Sequence, residues 1–465
     1  MFVSSFSRNK IHFVSLGCAR NLVDSEVMLG ILMKAGYEVV ENSAEADFLV
    51  VNTCGFLAKS RDESCDTIGS LFKEKKKDAK VIVAGCMVQN HSEEIKAKFP
   101  NVHYFLGSGD VEKILEAVQS DNAGEGITSA KSYLQTGEIP RQISTPKHYA
   151  YLKIAEGCAK RCSFCVIPDI KGVLRSKPME QVVKEFKLLL DQGVKEVILI
   201  AQDLGDYAKD RKEKDGLESL LKEMLKVEKD FWLRLLYLYP DEITDGLIEI
   251  MQSDPRICPY LDMPIQHIND RILKSMRRKT DGAQIRETLE KLRKQIPNIV
   301  IRTSLMVGFP GETEEEFEEL LTFIQKYPLD NVGIFTYSKE EGSFSAKLAG
   351  HLPEEVKQER FEKLASMQKK MVKKRNKRFL GQKYKVVVEG YHPETDLLMV
   401  GRFYGQCPEI DGQVIINDGR KVDAFGEWYE VEITEVAEYD LIGRVVKSLS
   451  PKAPKKTSPR LAVHA

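Results

Sequence analysis

The sequence has no run of about 20 uninterrupted apolar residues, the length that a helix needs to cross a bilayer. Its polar N-terminus also lacks the apolar segment of a secretory signal. We therefore expect a cytoplasmic protein that makes no membrane contact. The formal net charge is only −1, so the chain as a whole is not suited to bind nucleic acid through bulk electrostatics.

Cysteine is scarce: the sequence contains nine, and because this number is odd they cannot all form disulfide pairs. In a reducing cytoplasm a disulfide framework is not expected, so clustered cysteines indicate metal or redox chemistry. The spacing of the cysteines must therefore separate functional thiols from structural ones.

Alternating strand-like and helix-like runs predict an α/β protein with several folded regions. Residues 10–121 are interpreted as an open parallel α/β sheet, with strands at 11–16, 47–52 and 81–84 and helices at 21–35 and 56–77. Residues 122–148 lose this pattern in favour of Gly, Ser, Thr and Pro, which predicts a linker.

Residues 149–352 are predicted to form a partial (β/α)6 barrel resembling a TIM barrel, with its reactive loops at the C-terminal ends of the strands. The predicted strands are 149–155, 196–201, 232–238, 259–263, 300–305 and 331–336, and the predicted helices include 179–191, 241–251 and 312–327.

The C-terminal part begins with a charged connector helix at 353–380. Short strand-like runs at 384–389, 397–402, 413–416 and 428–436 predict a small β-barrel within residues 381–448. Residues 449–465 are basic and contain proline, which is typical of a disordered tail.

The sharpest motif is C-x-x-x-C-x-x-C, formed by Cys158, Cys162 and Cys165 directly after the first predicted barrel strand. Thiolates are the usual ligands of a 4Fe–4S cluster, and three of them leave one iron open. The alternative is a zinc site, which needs a fourth Cys or His. The nearest histidine, His148, lies at the far end of the predicted strand, so the motif favours the cluster.

This motif at the mouth of a partial barrel resembles the radical S-adenosylmethionine (SAM) superfamily. The resemblance implies that the open iron binds the methionine part of SAM and that reductive cleavage yields a 5′-deoxyadenosyl radical. The electrons are then expected from a flavodoxin- or ferredoxin-type donor. A non-enzymatic iron–sulfur carrier or sensor is the rival interpretation, and it leaves the barrel unexplained.

Three further cysteines, Cys18, Cys54 and Cys86, each follow a predicted strand of the N-terminal sheet. The C-terminal ends of parallel strands share one edge, where ligands bind. Three thiolates converging there predict a second cluster. The alternative is three buried structural cysteines.

Two such cysteine trios followed by a small β-barrel resemble the methylthiotransferases over residues 10–448. The resemblance implies a TRAM-like barrel and two 4Fe–4S clusters, an auxiliary one on Cys18, Cys54 and Cys86 and a radical one on Cys158, Cys162 and Cys165. It also implies that the auxiliary cluster supplies sulfur and that SAM supplies both a methyl group and the radical. Three cysteines outside the pattern, Cys65, Cys258 and Cys407, are predicted to have no metal role.

Local runs are similar to the branch that modifies the β-carbon of an aspartate in a small-subunit ribosomal protein. These runs are residues 15–26, 166–172 and 262–267. The branch that modifies transfer-RNA adenosine usually has Gln and Met where this chain has Ala19 and Arg20. The chain departs from the ribosomal-protein branch at Ala19 and Lys171, where Pro and Arg are more common. Transfer-RNA adenosine remains the alternative substrate.

Charge favours the protein substrate independently. Residues 381–447 contain seven basic and thirteen acidic residues, a net charge of −6. A barrel that grips RNA should be basic, whereas an acidic one suits a basic ribosomal protein. An ordinary solvated acidic surface is the alternative. The basic run 369–378 is a candidate contact with ribosomal RNA, or a solvated helix end.

Five polar or glycine residues near predicted strand ends are candidate SAM contacts: Gln202, Asp203, Gln266, Arg302 and Gly308. Helix caps and bonds to buried backbone are the alternative role for such side chains.

Overall fold

The computed structural model describes residues 9–128, 134 and 140–450. They form two compact units, one ending at Met371 and the other beginning at Val372. Part of the predicted linker and residues 451–465 of the predicted basic tail lie outside the described residues. In the part that is described, no helix is both long enough and apolar enough to cross a membrane.

The first unit begins with a six-stranded parallel sheet of order β2-β1-β3-β4-β5-β6. Its strands are β1 (Lys10–Ser15), β2 (Glu38–Val39), β3 (Phe48–Thr53), β4 (Lys80–Gly85), β5 (Tyr104–Gly107) and β6 (Gly124–Gly126). Its helices are α1 (Ala19–Lys34), α2 (Ala58–Glu74), α3 (Cys86–Asn90), α4 (Ser92–Lys98) and α5 (Ile114–Gln119).

Apolar side chains cover both faces of this sheet. Val50 and Ile82 join the core on one face, whereas Val51 and Val83 join the core on the other. Neighbouring residues of a strand point to opposite faces, so a strand buried on both sides must be apolar throughout. This explains why the central strands could be predicted from continuous apolar runs.

A second parallel sheet in the same unit has the order β14-β13-β12-β11-β10-β7. The strands of this region are β7 (Tyr149–Lys153), β8 (Ala155–Glu156), β9 (Arg175–Ser176), β10 (Glu196–Ile200), β11 (Trp232–Leu235), β12 (Ile257–Asp262), β13 (Val300–Val307) and β14 (Asn331–Thr336). The helices are α6 (Ile167–Lys171), α7 (Met179–Asp191), α8 (Gly216–Leu225), α9 (Asp245–Ser253), α10 (Asp270–Ser275), α11 (Gly282–Gln295), α12 (Glu314–Lys326) and α13 (Glu354–Asn376).

The six predicted strands of the partial barrel are all present, and within the described residues the two outer strands β7 and β14 do not pair with each other. Strand β11 is shorter than predicted and ends at Leu235. Tyr237 adopts a left-handed φ of 61°, which breaks the extended backbone. Helix α9 begins later than predicted, because the Thr244 side chain caps it by accepting from the Leu247 N–H at 3.0 Å.

The second unit contains a closed five-stranded barrel of order β15-β16-β17-β19-β18. Its strands are β15 (Lys383–His392), β16 (Thr395–Phe403), β17 (Val414–Asp418), β18 (Glu427–Val436) and β19 (Leu441–Ser448). Strand β19 was not predicted, because Gly443 and Arg444 interrupt its apolar pattern. The fold class is confirmed for all three regions, whereas the predicted domain boundaries stay predictions.

Candidate metal centres

The N-terminal cysteine trio follows three neighbouring strands. Cys18 lies between β1 and α1 and is the residue before the helix, Cys54 directly follows β3, and Cys86 directly follows β4 as the first residue of α3. Strands β1, β3 and β4 are adjacent in the sheet, so their C-terminal ends bring the three cysteine loops to one edge.

Two glycines show how closely these loops pack. A Cβ at Gly17, whose φ is +92°, would lie 2.8 Å from Cys54 Cβ and 3.1 Å from its Sγ. A Cβ at Gly55 would lie 2.7 Å from the Met87 backbone. Glycine is required at both positions, and the loop of Cys54 therefore contacts the loops of both other cysteines.

The three N-terminal thiols differ in their tendency to ionise. Burial raises the pKa of Cys86 to about 12 and also raises the pKa of Cys54. Desolvation opposes ionisation of Cys18 as well, but the Arg20 guanidinium and the N–H groups of Asn21 and Arg20 outweigh it and lower the pKa of this thiol. Ligand thiols must deprotonate, so a bound cation would stabilise the thiolates of Cys54 and Cys86.

The second trio lies in the loop between β8 and α6, at the C-terminal end of β7. Backbone hydrogen bonds fix this loop, since the Cys158 N–H donates to Gly172 O at 3.2 Å and the Ser163 N–H donates to Met276 O at 3.0 Å. Burial raises the pKa of Cys158 to about 11 and that of Cys165 to about 12.

Two side chains contact Cys162, the buried member of this trio. Its Sγ lies 3.7 Å from the Tyr239 hydroxyl and 3.6 Å from Arg278 Nη1, and the guanidinium lies over the Tyr239 ring at 4.0 Å from its centre. These contacts place donor groups beside a sulfur atom, as is common around iron–sulfur ligands.

The spacing of the thiols separates a cluster from a zinc site. Thiolates around one tetrahedral zinc lie about 3.8 Å apart, given Zn–S bonds of about 2.3 Å. Among the described residues, neither cysteine trio forms a group of three ligand atoms within 4.8 Å of one another. As folded here, both trios are too open for a single ion, and three soft donors of this kind fit a larger multi-iron cluster.

The one described group that meets the single-ion spacing consists of carboxylates, those of Asp203, Asp206 and Glu242. Lys160, from the cysteine loop, places its ammonium 3.3, 3.6 and 2.6 Å from these three side chains. Burial raises the pKa of Asp203 to about 7, although Lys160 opposes this shift. The position of a cation is therefore taken by Lys160.

The other four predicted SAM contacts have different surroundings. Gln202 directly follows β10, and its buried Oε1 has no hydrogen-bond partner among the described atoms, so it can accept from a ligand. Gln266 donates its N–H to Ser304 O at 2.9 Å, and Arg302 donates to Asp262 at 2.9 Å.

Gly308 has a packing role in this structure. A Cβ at this position would overlap with Lys357 Cγ, so the glycine makes room for a side chain of α13. The contacts of all five residues with SAM stay predictions.

A buried group of four charges, which was not predicted from the sequence, joins the two cysteine regions. Lys153 of β7 bonds to Asp24 of α1 and lies 3.2 Å from Glu156, while Lys171 lies 3.0 Å from Asp24 and 2.9 Å from Glu156. The sequence feature that could have revealed this group is the presence of charged residues at otherwise apolar positions of α1 and β7.

The three cysteines outside the two trios, Cys65, Cys258 and Cys407, are buried, which fits a packing role.

Comparison with known proteins places this architecture in a family. Three family models match the sequence: "Uncharacterized protein family UPF0004" over residues 10–107, "Radical SAM superfamily" over residues 152–324 and "TRAM domain" over residues 380–446. A protein of Protochlamydia amoebophila named ribosomal protein uS12 methylthiotransferase RimO is 65% identical over 440 residues, which cover 94% of this chain and 93% of the relative. The chain belongs to the RimO family of methylthiotransferases.

Other RimO family members align over the same extent. The protein of that name from Chlamydia caviae is 58% identical over 96% of this chain and 98% of its own, and the one from Bdellovibrio bacteriovorus is 44% identical over 94% and 97%. A solved structure of the radical SAM methyltransferase TsrM from Kitasatospora setae, with cobalamin and a 4Fe–4S cluster bound, has a TM-score of 0.53 at 16% identity, covering 71% of this chain and 75% of that chain. This likeness shows a shared fold alone.

Membership of the RimO family confirms the predicted enzyme class and the predicted cofactors. The chain is a radical SAM methylthiotransferase, and its cofactors are SAM and 4Fe–4S clusters. The assignment of individual cysteines to each cluster stays a prediction that the observed geometry fits.

Proposed function

We propose that this chain attaches a methylthio group to the β-carbon of an aspartate in ribosomal protein uS12. The observation that carries the proposal is the presence of two three-cysteine sites, each at the C-terminal edge of a parallel sheet within one compact unit. RimO relatives at 44–65% identity favour uS12 over the alternative, transfer-RNA adenosine.

In this proposal Cys18, Cys54 and Cys86 hold the auxiliary cluster, and the cysteines of the second trio hold the radical cluster. When bound, the two clusters and SAM supply the sulfur, the methyl group and the radical. Backbone hydrogen bonds fix the loop of the second trio, and Cys86 and Cys162 are buried, which limits the access of water to reactive species.

The small barrel supports a basic substrate. None of its thirteen acidic residues is buried, so all of them keep access to solvent. Four of them form ion pairs within the barrel: Glu389 with Arg402, Asp418 with Arg420, Glu432 with Arg444 and Glu430 with Lys447. The excess of thirteen acidic over seven basic residues gives this region its negative charge, which would attract a basic ribosomal protein.

Three further parts of the proposal concern the surroundings of the enzyme. A flavodoxin- or ferredoxin-type protein would supply electrons. The basic residues of 369–378 would touch ribosomal RNA if the substrate is modified on an assembling subunit. A cytoplasmic location would give access to that substrate.

Product analysis tests the substrate. The reconstituted protein, SAM and a low-potential reductant would be incubated without oxygen with purified uS12 and, separately, with unmodified transfer RNA. We expect mass spectrometry to find a methylthio-aspartate peptide and no methylthio-nucleoside. A methylthio-adenosine product with unmodified uS12 would reverse the assignment. Replacement of Cys18, Cys54 and Cys86 by Ala is the control that should abolish product formation.

A further inference from the structure

The side chain of Arg20 lies between the two cysteine trios. Arg20 is the second residue of α1, two positions after Cys18. Its Nη1 donates a hydrogen bond of 2.8 Å to the carbonyl of Ala201, the residue that follows β10 at the barrel mouth. The side chain therefore spans from the edge of the N-terminal sheet to the edge of the second sheet.

The other face of the guanidinium is also held in place. It lies over the ring of Tyr237, 4.7 Å from the ring centre. Tyr237 adopts its left-handed φ of 61° because its neighbours hold it, since its carbonyl accepts from Leu204 N–H at 2.9 Å and its own N–H donates to Asp262 at 3.3 Å. Strained backbone of this kind persists where the surroundings enforce it, and it is concentrated at functional sites.

Arg20 interacts electrostatically with both trios. Its electrostatic partners include Cys18 and Cys86 of the first trio and Cys165 of the second. No carboxylate of the described residues lies within 4.0 Å of its guanidinium. Nearby lysines differ, because Lys171 and Lys160 are both surrounded by carboxylates.

A guanidinium has five N–H donors in a planar fork that matches a carboxylate. One donor is used by Ala201 O and one faces the Cys18 thiol, so others remain for a ligand. A substrate aspartate that must be reached from both cluster sites has to bring its carboxylate into the space between them. Burying that carboxylate without a cation would be costly.

We propose that Arg20 binds the side-chain carboxylate of the substrate aspartate and so holds its β-carbon between the two cysteine trios, with Tyr237 positioning the guanidinium. This inference rests on the proposed function. It makes Arg20 a residue that selects a carboxylate over other side chains, and an adenosine base would not need such a group.

The test compares uS12 with a uS12 variant that carries Asn at the modified aspartate, using wild-type enzyme, Arg20→Lys and Arg20→Met. Arg286→Met is the matched control, since Arg286 is a helical arginine that pairs with Glu319 on α12. Binding of each uS12 form by fluorescence anisotropy, kcat/KM, iron content and 5′-deoxyadenosine formed without uS12 would be measured for each enzyme.

We expect wild-type enzyme to bind the Asp form about 100-fold more tightly than the Asn form. Arg20→Met should reduce kcat/KM for the Asp form about 100-fold and bring the binding ratio close to one. Arg20→Lys should keep part of the preference for the Asp form, because lysine keeps the positive charge but lacks the planar set of N–H donors that can bind both carboxylate oxygens. Arg286→Met should match wild type throughout, and iron content together with substrate-free 5′-deoxyadenosine reports any separate effect of the Arg20 variants on the clusters.

Two results would overturn the inference. An unchanged Asp-to-Asn binding ratio in Arg20→Met would show that Arg20 does not recognise the carboxylate. Equal losses for both uS12 forms, accompanied by loss of iron or of substrate-free 5′-deoxyadenosine, would assign Arg20 to a cluster instead. Wild-type enzyme that cleaves SAM but neither binds nor modifies uS12 would refute the proposed function itself.

Discussion

Replacement of Lys153 by Met tests the buried charge group that joins α1 to β7. The four side chains of this group are at most 5% exposed, so water screens them little. Without Lys153, the carboxylates of Asp24 and Glu156 share only the ammonium of Lys171. Breaking a buried pair in this way costs about 3–5 kcal/mol, because a charge is left uncompensated. We expect a loss of that size in the free energy of unfolding of the first unit.

A second variant makes the prediction quantitative. Asp24→Asn leaves two ammonium groups around Glu156 and should cost a similar amount. The double variant keeps the balanced pair of Lys171 and Glu156, so its cost should fall short of the sum of the single variants by about 1–3 kcal/mol. Lys187→Met, at an exposed position of α7, is the control and should change stability by less than about 0.5 kcal/mol.

The chain contains a suitable probe for this experiment. It has two tryptophans, of which Trp232 lies in β11 of the first unit and Trp428 lies in the small barrel. In a Trp428→Phe background, the fluorescence of Trp232 during urea unfolding of the metal-free, reduced protein reports on the first unit. Single-variant losses below about 1 kcal/mol, or losses that add within about 0.5 kcal/mol, would refute the reasoning.

Three further predictions concern the same regions. Gly17→Ala should lower bound iron from about eight to about four per chain while 5′-deoxyadenosine formation persists, because the added Cβ would lie 2.8 Å from Cys54 Cβ. Gly36→Ala is the matched control, since Gly36 also has a left-handed φ, +91°, but has open space around it. Asp24 is desolvated, but Lys153 and Lys171 outweigh this and lower its pKa. Its contribution to stability is therefore present above about pH 4 and is lost as the pH falls through the lowered pKa. Between about pH 6 and pH 3, the urea midpoint of Asp24→Asn should fall less than that of the wild type. Lys160→Met should lower the melting temperature, and Ca²⁺ should restore it in the variant alone. The carboxylates of Asp203, Asp206 and Glu242 lie within 4.8 Å of one another and are then left with Lys209, which pairs with Asp206 and Glu242 but not with Asp203. No effect of Ca²⁺ on Lys160→Met would contradict the last prediction.

The sequence predicted the fold well where strands are buried on both faces. The central strands of both parallel sheets are continuous apolar runs with cysteines or polar residues at their ends, so both the elements and the positions of the cysteines could be predicted. Strand β19 was missed because it is buried on one face only and contains Gly443 and Arg444. Strands β2 and β6 are two and three residues long, which is too short for a periodic pattern.

The candidate site was predictable only where spacing carries information. The motif formed by Cys158, Cys162 and Cys165 is local in the sequence. The prediction of the other trio, Cys18, Cys54 and Cys86, depended on the shared C-terminal edge of a parallel sheet. The contacts of Arg20 with Ala201 and of Asp24 with Lys153 join residues 181 and 129 positions apart, and no local pattern shows which charges will meet. Tyr237 gave no signal at all, because its role depends on a left-handed backbone that aromatic residues rarely adopt.

The central claim is that two separate clusters on two cysteine trios divide the chemistry. Its most direct test is anaerobic reconstitution of the wild type and of two triple Ala variants, one for Cys18, Cys54 and Cys86 and one for Cys158, Cys162 and Cys165. Iron, 5′-deoxyadenosine and methylthiolated uS12 would be measured for each protein.

We predict about eight irons per chain in the wild type and about four in each variant. The variant without the first trio should still form 5′-deoxyadenosine but no methylthiolated uS12, and the variant without the second trio should form neither. About four irons in the wild type, or methylthiolated uS12 from the variant that lacks the first trio, would contradict the account.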